Sequence, residues 1–343
     1  MSVAPVELLR KIEKGEQLPR VLVIHGEEDY YRSMLTAKLT EHFLGEIPPA
    51  ERSVNVFAAD TDLQELEAVV NTYPFFGGIS LVVLKDEKLW AKSDSENKKR
   101  QLEKLLALLQ DVPEYCYVIV EAEKFDKRTA FFKGLVKKFT VCECQKMRVE
   151  NLPSWLKDQA AVHGAVFDRD ALTAVLEYLA AVEYAPLELL HQEITKLAVY
   201  AGECKNWTRA DVENIFSALP EVSGFTLLKA IAAKDLQGSL KILAAERKNG
   251  TNILPICGLV LYQLRKMLRF LEFIRAGCDR ETIIKELKMI GFLYAKESSN
   301  YLRFSETDLA KAICDITELN IQMRKGGRTY ARLEEILLEL LQQ

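Results

Sequence analysis

The sequence predicts an α/β N-terminal domain built on a mostly parallel sheet, followed by two all-α domains. Three observations carry that expectation. Short apolar runs alternate with amphipathic helical stretches through residues 1–145, the pattern of a parallel sheet with helices on both faces. The runs at Ile79 to Leu84 and Cys116 to Val120 are apolar but for Ser80, as strands covered on both sides tend to be. After Cys144 no convincing strand follows, and helical periodicity continues to the C-terminus. The expected domains are residues 1–145, 146–217 and 218–343, with the second boundary near Leu219-Pro220.

The first domain reads in order. Val21 to Ile24 is a strand, His25-Gly26 a turn, and Glu27-Glu28-Asp29 opens a helix with Met34, Leu35, Leu39 and Phe43 on one face. Val54 to Phe57 is the second strand. Thr61 with Gln64 reads as a capping box, opening a helix whose apolar face is Leu63, Leu66, Val69 and Val70. Pro74 stops that helix and biases Tyr73 away from helical geometry. Gly77-Gly78 turns the chain into the strand Ile79 to Leu84. Glu96 to Gln110 is a helix that turns Leu102, Leu105, Leu106 and Leu109 inward; Cys116 to Val120 a strand; Lys127 to Lys138 a helix; and Thr140 to Cys144 closes the series.

Beyond it, four helices are expected at Leu152 to His163, Arg169 to Ala181, Leu187 to Ala201 and Thr208 to Ser217. Thr208-x-x-Asp211 is a start signal, and Gly202 sits at a C-cap position. Seven segments follow: Phe225 to Lys234, Gly238 to Lys248, Leu254 to Ala276, Arg280 to Leu287, Phe292 to Phe304, Glu306 to Lys325 and Arg328 to Leu341. The breakers are Gly250, Gly277, Gly291 and Gly326-Gly327. The last helix carries Leu333, Ile336, Leu337, Leu340 and Leu341 as one stripe, which fits either an intramolecular core or an oligomer seam.

Composition is that of an ordinary soluble globular protein: 343 residues, 49% hydrophobic, 28% charged. No apolar run reaches membrane-spanning length, and the mixed-charge segment MSVAPVELLRKIEKGEQ is not a signal peptide, so a cytoplasmic protein is expected. Seven scattered Cys and four scattered His argue for reduced thiols and show no metal-ligand spacing; Cys142-x-Cys144 lies in a strand. Net charge is −4 overall, distributed as −4 over 1–145, −4 over 146–217 and +4 over 218–343. So mild a basic balance fits a solvated surface better than a strong nucleic-acid site.

The search for chemistry excludes more than it finds. The first strand–turn–helix is where a nucleotide-binding sheet carries its phosphate loop, yet the turn reads HGEEDYY and no Gly in the chain precedes a Lys. Glu27, Glu28 and Asp29 satisfy the helix dipole there and repel phosphate. Glu121-x-Glu123 stands where an ATPase holds magnesium; without a phosphate loop it reads as a solvated strand end. His163 and His191 have no assignable acid or nucleophile partner, and no catalytic residue, cofactor or metal is expected. What remains is Phe75-Phe76, between a helix stop and a diglycine turn. The pair is either an exposed apolar knob, which a monomer normally avoids, or folds back under the turn into the core.

These pieces, taken in order, resemble the delta subunit of bacterial DNA polymerase III, the clamp-loader wrench, along essentially the whole chain. Leu22 to Tyr30 looks like that family's first strand and its G-x-E turn. Tyr73-Pro74-Phe75-Phe76-Gly77, running into Leu81 to Leu84, looks like its clamp-binding element. Glu188 to Tyr200 with Thr208-x-x-Asp211-Val212 looks like its second domain, and Asn320 to Gly326 with the final helix like the end of its collar. The pair is Phe-Phe where Leu-Phe is commoner, Ile79-Ser80 replace a usual basic residue, and Asn320 and Arg324 stand where Asp and Lys are commoner. No Ser-Arg-Cys occurs, which separates the chain from the ATP-binding and delta-prime relatives.

The resemblance implies an AAA+/RecA-like sheet with a degenerate phosphate loop, a helical lid-like domain and a helical collar. It implies binding and opening of the ring-shaped sliding clamp (beta) through Tyr73, Pro74, Phe75 and Phe76, for loading on primed DNA. It also implies assembly with the loader ATPase (tau/gamma) and delta-prime subunits, with Leu333, Ile336, Leu337 and Leu340 of the collar as candidates for that assembly, and no intrinsic active site within the polymerase holoenzyme. Two other readings are a degenerate helicase-like ATPase and a helical nucleic-acid-binding module using Lys98-Lys99-Arg100 and the basic C-terminal part.

Overall fold

The computed structural model describes residues 2–75, 78–91, 95–179, 183–216, 220–291, 293–324 and 330–342. Phe76, Gly77, the predicted helix ends at Ala181, Ser217 and Lys325, the starts at Phe292 and Arg328, and the Gly326-Gly327 break lie outside them. Contacts divide the chain into two compact units, Met1–Lys146 and Met147–Gln343.

In the first unit the elements run β1 (Ser2–Val3), α1 (Pro5–Glu13), β2 (Val21–His25), α2 (Asp29–Leu44), β3 (Ser53–Phe57), α3 (Leu63–Asn71) and β4 (Ser80–Leu84), then α4 (Glu87–Trp90), α5 (Glu96–Gln110), β5 (Cys116–Ala122), α6 (Ala130–Lys138) and β6 (Thr140–Glu143). The six strands are all parallel, in the order β1-β6-β2-β5-β4-β3. Alternation along the strands sends Val23, Val82, Val118 and Val120 to one face, where Leu66, Val70, Leu105, Leu109, Phe131 and Leu135 of α3, α5 and α6 cover them. Leu22, Ile24, Leu81 and Ile119 are buried on the other face, the side of α1 and α2.

The sequence missed β1, whose two residues pair with Val141 and Cys142. It also placed the start of α3 one residue early. Asp62 is the N-cap and accepts from Gln64 N at 3.0 Å. Thr61 instead donates its backbone N–H to the buried Asp86 at 2.8 Å, a partner that local spacing cannot announce. Burial pushes the Asp86 carboxyl up, but hydrogen bonds from Thr61, Lys88 and Leu89 outweigh it and hold it below its ordinary value.

The second unit is helical: α7 (Leu152–Val162), α8 (Arg169–Leu179), α9 (Leu187–Ala201), α10 (Arg209–Phe216), α11 (Pro220–Ala232), α12 (Leu236–Lys248), α13 (Ile253–Arg275), α14 (Arg280–Glu286), α15 (Tyr294–Tyr301), α16 (Glu306–Arg324) and α17 (Tyr330–Leu341). Against the expectation of no strands, two short ones pair in parallel: β7 (Val166–Phe167), between α7 and α8, and β8 (Asn206–Trp207), between α9 and α10. Two residues are too few for a periodic signal. Thr208 caps α10 as expected, its hydroxyl meeting the Asp211 carboxylate at 2.7 Å. The core of residues 220–341 is centred on α13, which buries Val260, Leu264, Met267 and Phe270 against α16 and its neighbours.

One carboxylate ties the two helical blocks of this unit together. Glu177 of α8 is buried and receives Arg209 of α10 at 3.0 Å, Lys229 of α11 at 3.2 Å and Lys296 of α15 at 2.5 Å. Burial alone pushes the Glu177 carboxyl up, but Lys296, Arg209 and Lys229 overcome it and bring the pKa to about 2. A folded value below the ordinary 4.5 contributes stability above pH 4.5 that is lost as pH falls toward 2. Glu177→Gln is therefore expected to cost about 2 kcal/mol in urea unfolding at pH 7. The gap between variant and wild type should close as the pH is lowered through that window.

Candidate functional site

Two places on the first unit are candidates, at opposite ends of its parallel strands. The first is the turn after β2. Gly26 takes φ +133°, and a Cβ there would lie 2.1 Å from the backbone O of Cys144, so no side chain fits. Its N–H donates to Ala122 O at 3.1 Å, and the N–H of Glu28 donates to Cys144 O at 3.0 Å. Cys144 N in turn donates to His25 O at 2.6 Å. These amides of a would-be phosphate cradle are thus spent inside the protein. His25 is buried edge-on to Phe125 and Phe132 at 5.6 and 5.3 Å, and burial lowers its pKa.

The acidic residues behind this turn are also engaged. Arg32 binds Asp29 at 2.7 Å and the carbonyl of Gly26. Glu121, expected as a solvated strand end, is instead buried: it accepts from Thr36 Oγ1 at 2.7 Å and pairs with Lys85 at 2.9 Å, with Arg32 at 4.0 Å. Its partners come from α2 and the end of β4, which is why spacing could not reveal them. Glu123 is the exposed member of the pair. Lys98 and Lys99, two of the three cations of the proposed basic cluster, bond locally to Lys88 O at 2.8 Å and Glu96 at 2.6 Å.

The second place is the loop from α3 to β4. Thr72 closes the helix, its hydroxyl bonding Ala68 O at 2.6 Å. Tyr73 is exposed and meets Tyr115 edge-on at 5.0 Å, while the Tyr115 hydroxyl donates to Asn71 O at 2.8 Å. Pro74 is buried, and the next side chain, Phe75, is 95% exposed. The loop returns through Gly78 at φ +81°, and Ser80 N fastens it to Tyr115 O at 2.7 Å. Of the two readings left open by the sequence, Phe75 follows the exposed one; Phe76 lies outside the described residues. Tyr115 is the brace that sequence reasoning missed.

The collar candidates fare differently. Leu333, Ile336, Leu337 and Leu340 are all buried in the core of the second unit, where α17 packs on α12 and α16. They form this chain's own interior, so they are not themselves a contact surface. The rest of the α17 stripe, Leu341, is buried with them.

Comparison with known proteins decides the family. Residues 22–145 match the family model described as DNA polymerase III, delta subunit, and residues 221–341 match that of the DNA polymerase III delta subunit, C-terminal domain. The chain belongs to the DNA polymerase III delta-subunit family. It is 23% identical over 342 residues to the DNA polymerase III subunit delta of Bacillus subtilis, covering 98% of this chain and 97% of that one. It is 24% identical over 311 residues to a probable delta subunit of Aquifex aeolicus, covering 88% and 85%. The solved Bacillus subtilis DNA clamp loader delta protein (YqeN) superposes with a TM-score of 0.62 at 22% identity, over 99% of this chain and 100% of that one. This delta-family chain thus has the parallel α/β unit and helical C-terminal region that were expected.

The closed turn yields a stability prediction. Gly26→Ala must move the Cys144 backbone as well as adopt a strained φ, and should cost at least about 3 kcal/mol. A melting temperature unchanged from wild type would show that the turn does not hold Cys144 as described.

Proposed function

We propose that this delta-family chain acts in DNA replication as the clamp-loader subunit that binds and opens the sliding clamp. In this reading Phe75, with Phe76, enters an apolar pocket on the clamp, while Tyr73 and Pro74 hold the loop in place. The chain works in the cytoplasm beside the loader ATPase (tau/gamma) and delta-prime subunits, and residues 218–343 join theirs in a collar. Primed DNA is the destination of the loaded clamp. The α17 stripe is occupied internally, so collar contacts would come from other faces of residues 218–343.

The observation that carries this reading is the exposed Phe75 on a braced loop. Burying a Phe removes ~150–250 Å² from water, an upper bound of about 4–6 kcal/mol. A binding protein opens a ring only by as much as it prefers the open form, and an apolar anchor can supply such a preference.

Phe75→Ala is expected to lose about 2 kcal/mol of clamp affinity, roughly thirtyfold. An exposed side chain makes little contribution to folding, so the melting temperature should stay near that of wild type. Clamp binding and ring opening at wild-type levels in this variant would remove the residue-level assignment.

The chemistry of ATP belongs, on this proposal, to other subunits. The amides of Gly26 and Glu28 are bonded to Ala122 and Cys144, and carboxylates stand at the start of α2. Calorimetric titration of the isolated chain with ATP and magnesium should register no binding up to millimolar nucleotide. Micromolar one-to-one binding would favour the degenerate ATPase instead.

A further inference from the structure

The sheet has two edges, and they differ. β1 ends one side with only two residues, a short edge of the kind that blunts strand addition. β3 ends the other with five, Ser53-Val54-Asn55-Val56-Phe57. The strand contains no Lys, Glu, Asp or Pro, the residues that usually protect an open edge. Its inner hydrogen bonds have a fixed phase: Phe57 O accepts from Lys85 N at 2.7 Å, so Ser53, Asn55 and Phe57 face β4. The N–H and C=O groups of Val54 and Val56 must then point away from the sheet. The side chains of these two residues are 40% and 57% exposed.

The strand that carries this edge begins beside the strand that the Phe75 loop leads into. Ser53 pairs in register with Ser80, the first residue of β4 after that loop. A Cβ at Gly78 would sit 3.5 Å from Ile47 Cδ1, in the segment leading to β3. The Phe75 loop thus leads into β4 at the end of the sheet where β3 also begins. Arg52, the residue before the strand, is turned elsewhere, to Glu41 at 3.0 Å and Ile47 O at 2.9 Å.

We propose that the protein partner that receives Phe75 also lays an extended segment along β3, pairing with the outward peptide groups of Val54 and Val56 as a seventh strand. The inference rests on the clamp-binding reading of Phe75. Peptide donors and acceptors at the two-residue spacing of a strand are matched by another strand, and the exposed valines offer it two apolar contacts. Main-chain pairing would fix the orientation of the clamp, which a single inserted ring does not.

Hydrogen exchange on the full chain, free and with purified clamp, tests this directly. Val54 and Val56 amides should exchange fast in the free chain and slow down by tenfold or more in the complex; those of Asn55 and Phe57 should be protected in both. Val56→Pro removes one outward N–H without touching the β4 ladder, and should weaken clamp binding by about tenfold while Phe75 is intact. Unchanged exchange at Val54 and Val56 in a saturated complex overturns the proposal, and so does wild-type affinity in a folded Val56→Pro variant. Protection already present in the free chain, with a dimer by light scattering, overturns it in favour of a second copy on this edge. Each result leaves the Phe75 assignment to the separate Phe75→Ala measurement, so the two readings fail independently.

Discussion

The backbone of Cys144, lying across the turn after β2, is the contact on which the first unit depends. It binds His25 on one side and Glu28 on the other. Because its carbonyl occupies the space beside Gly26, that residue has to be glycine. Because Glu28 donates to it and Gly26 to Ala122, these amides are committed before any anion arrives. Glu121, at the carboxyl end of β5, is drawn into pairs with Lys85, Arg32 and Thr36. An end of the sheet suited to nucleotide chemistry is thereby a tightly bonded floor. The Phe75 loop enters β4 from the other end of the same strands, so the sheet separates this bonded floor from the exposed aromatic.

Much of this was legible in the sequence because sheets covered on both faces need apolar runs. Val21 to Ile24, Ile79 to Leu84 and Cys116 to Val120 stand out for that reason, and α9 was delimited at Leu187 and Ala201 as found. What escaped were interactions between residues distant in the chain. Asp86 takes the N–H of Thr61 and so shifts the cap to Asp62. Arg32 and Lys85 convert Glu121 from an expected solvent group into a buried one. The two-residue strands β1, β7 and β8 are too short to have a period at all.

The α17 stripe and the Phe75 pair illustrate how periodicity and breakers differ as evidence. Leu333, Ile336, Leu337 and Leu340 lie at helical spacing, and that spacing is the same for a core and for a seam. The structure resolves it by putting α12 and α16 against them. At Phe75 the informative residues were its neighbours. Pro74 marked a stop after α3, and Gly78, at φ +81°, turned the chain, which left an aromatic side chain between them. The loop that carries that side chain is held at both ends by Tyr115, whose hydroxyl donates to Asn71 O and whose carbonyl accepts from Ser80 N. No local motif announces such a brace.

That brace also bears on how an apolar knob can do work. Ordering a loose loop on binding would consume part of the free energy its side chain gains. Here Thr72, Tyr73 and Ser80 are fixed by hydrogen bonds and a ring contact before any partner is present, and Pro74 is buried in the body of the unit. The segments leading into and out of the tip thus have less conformational freedom to lose. Tyr115 links the two ends of the loop: its hydroxyl donates to Asn71 O at the end of α3, and its carbonyl accepts from Ser80 N at the start of β4. On the proposed clamp-binding reading, an element that holds one state of a partner against its relaxed state needs such bracing as well as apolar area, because a compliant loop would follow the partner instead of biasing it.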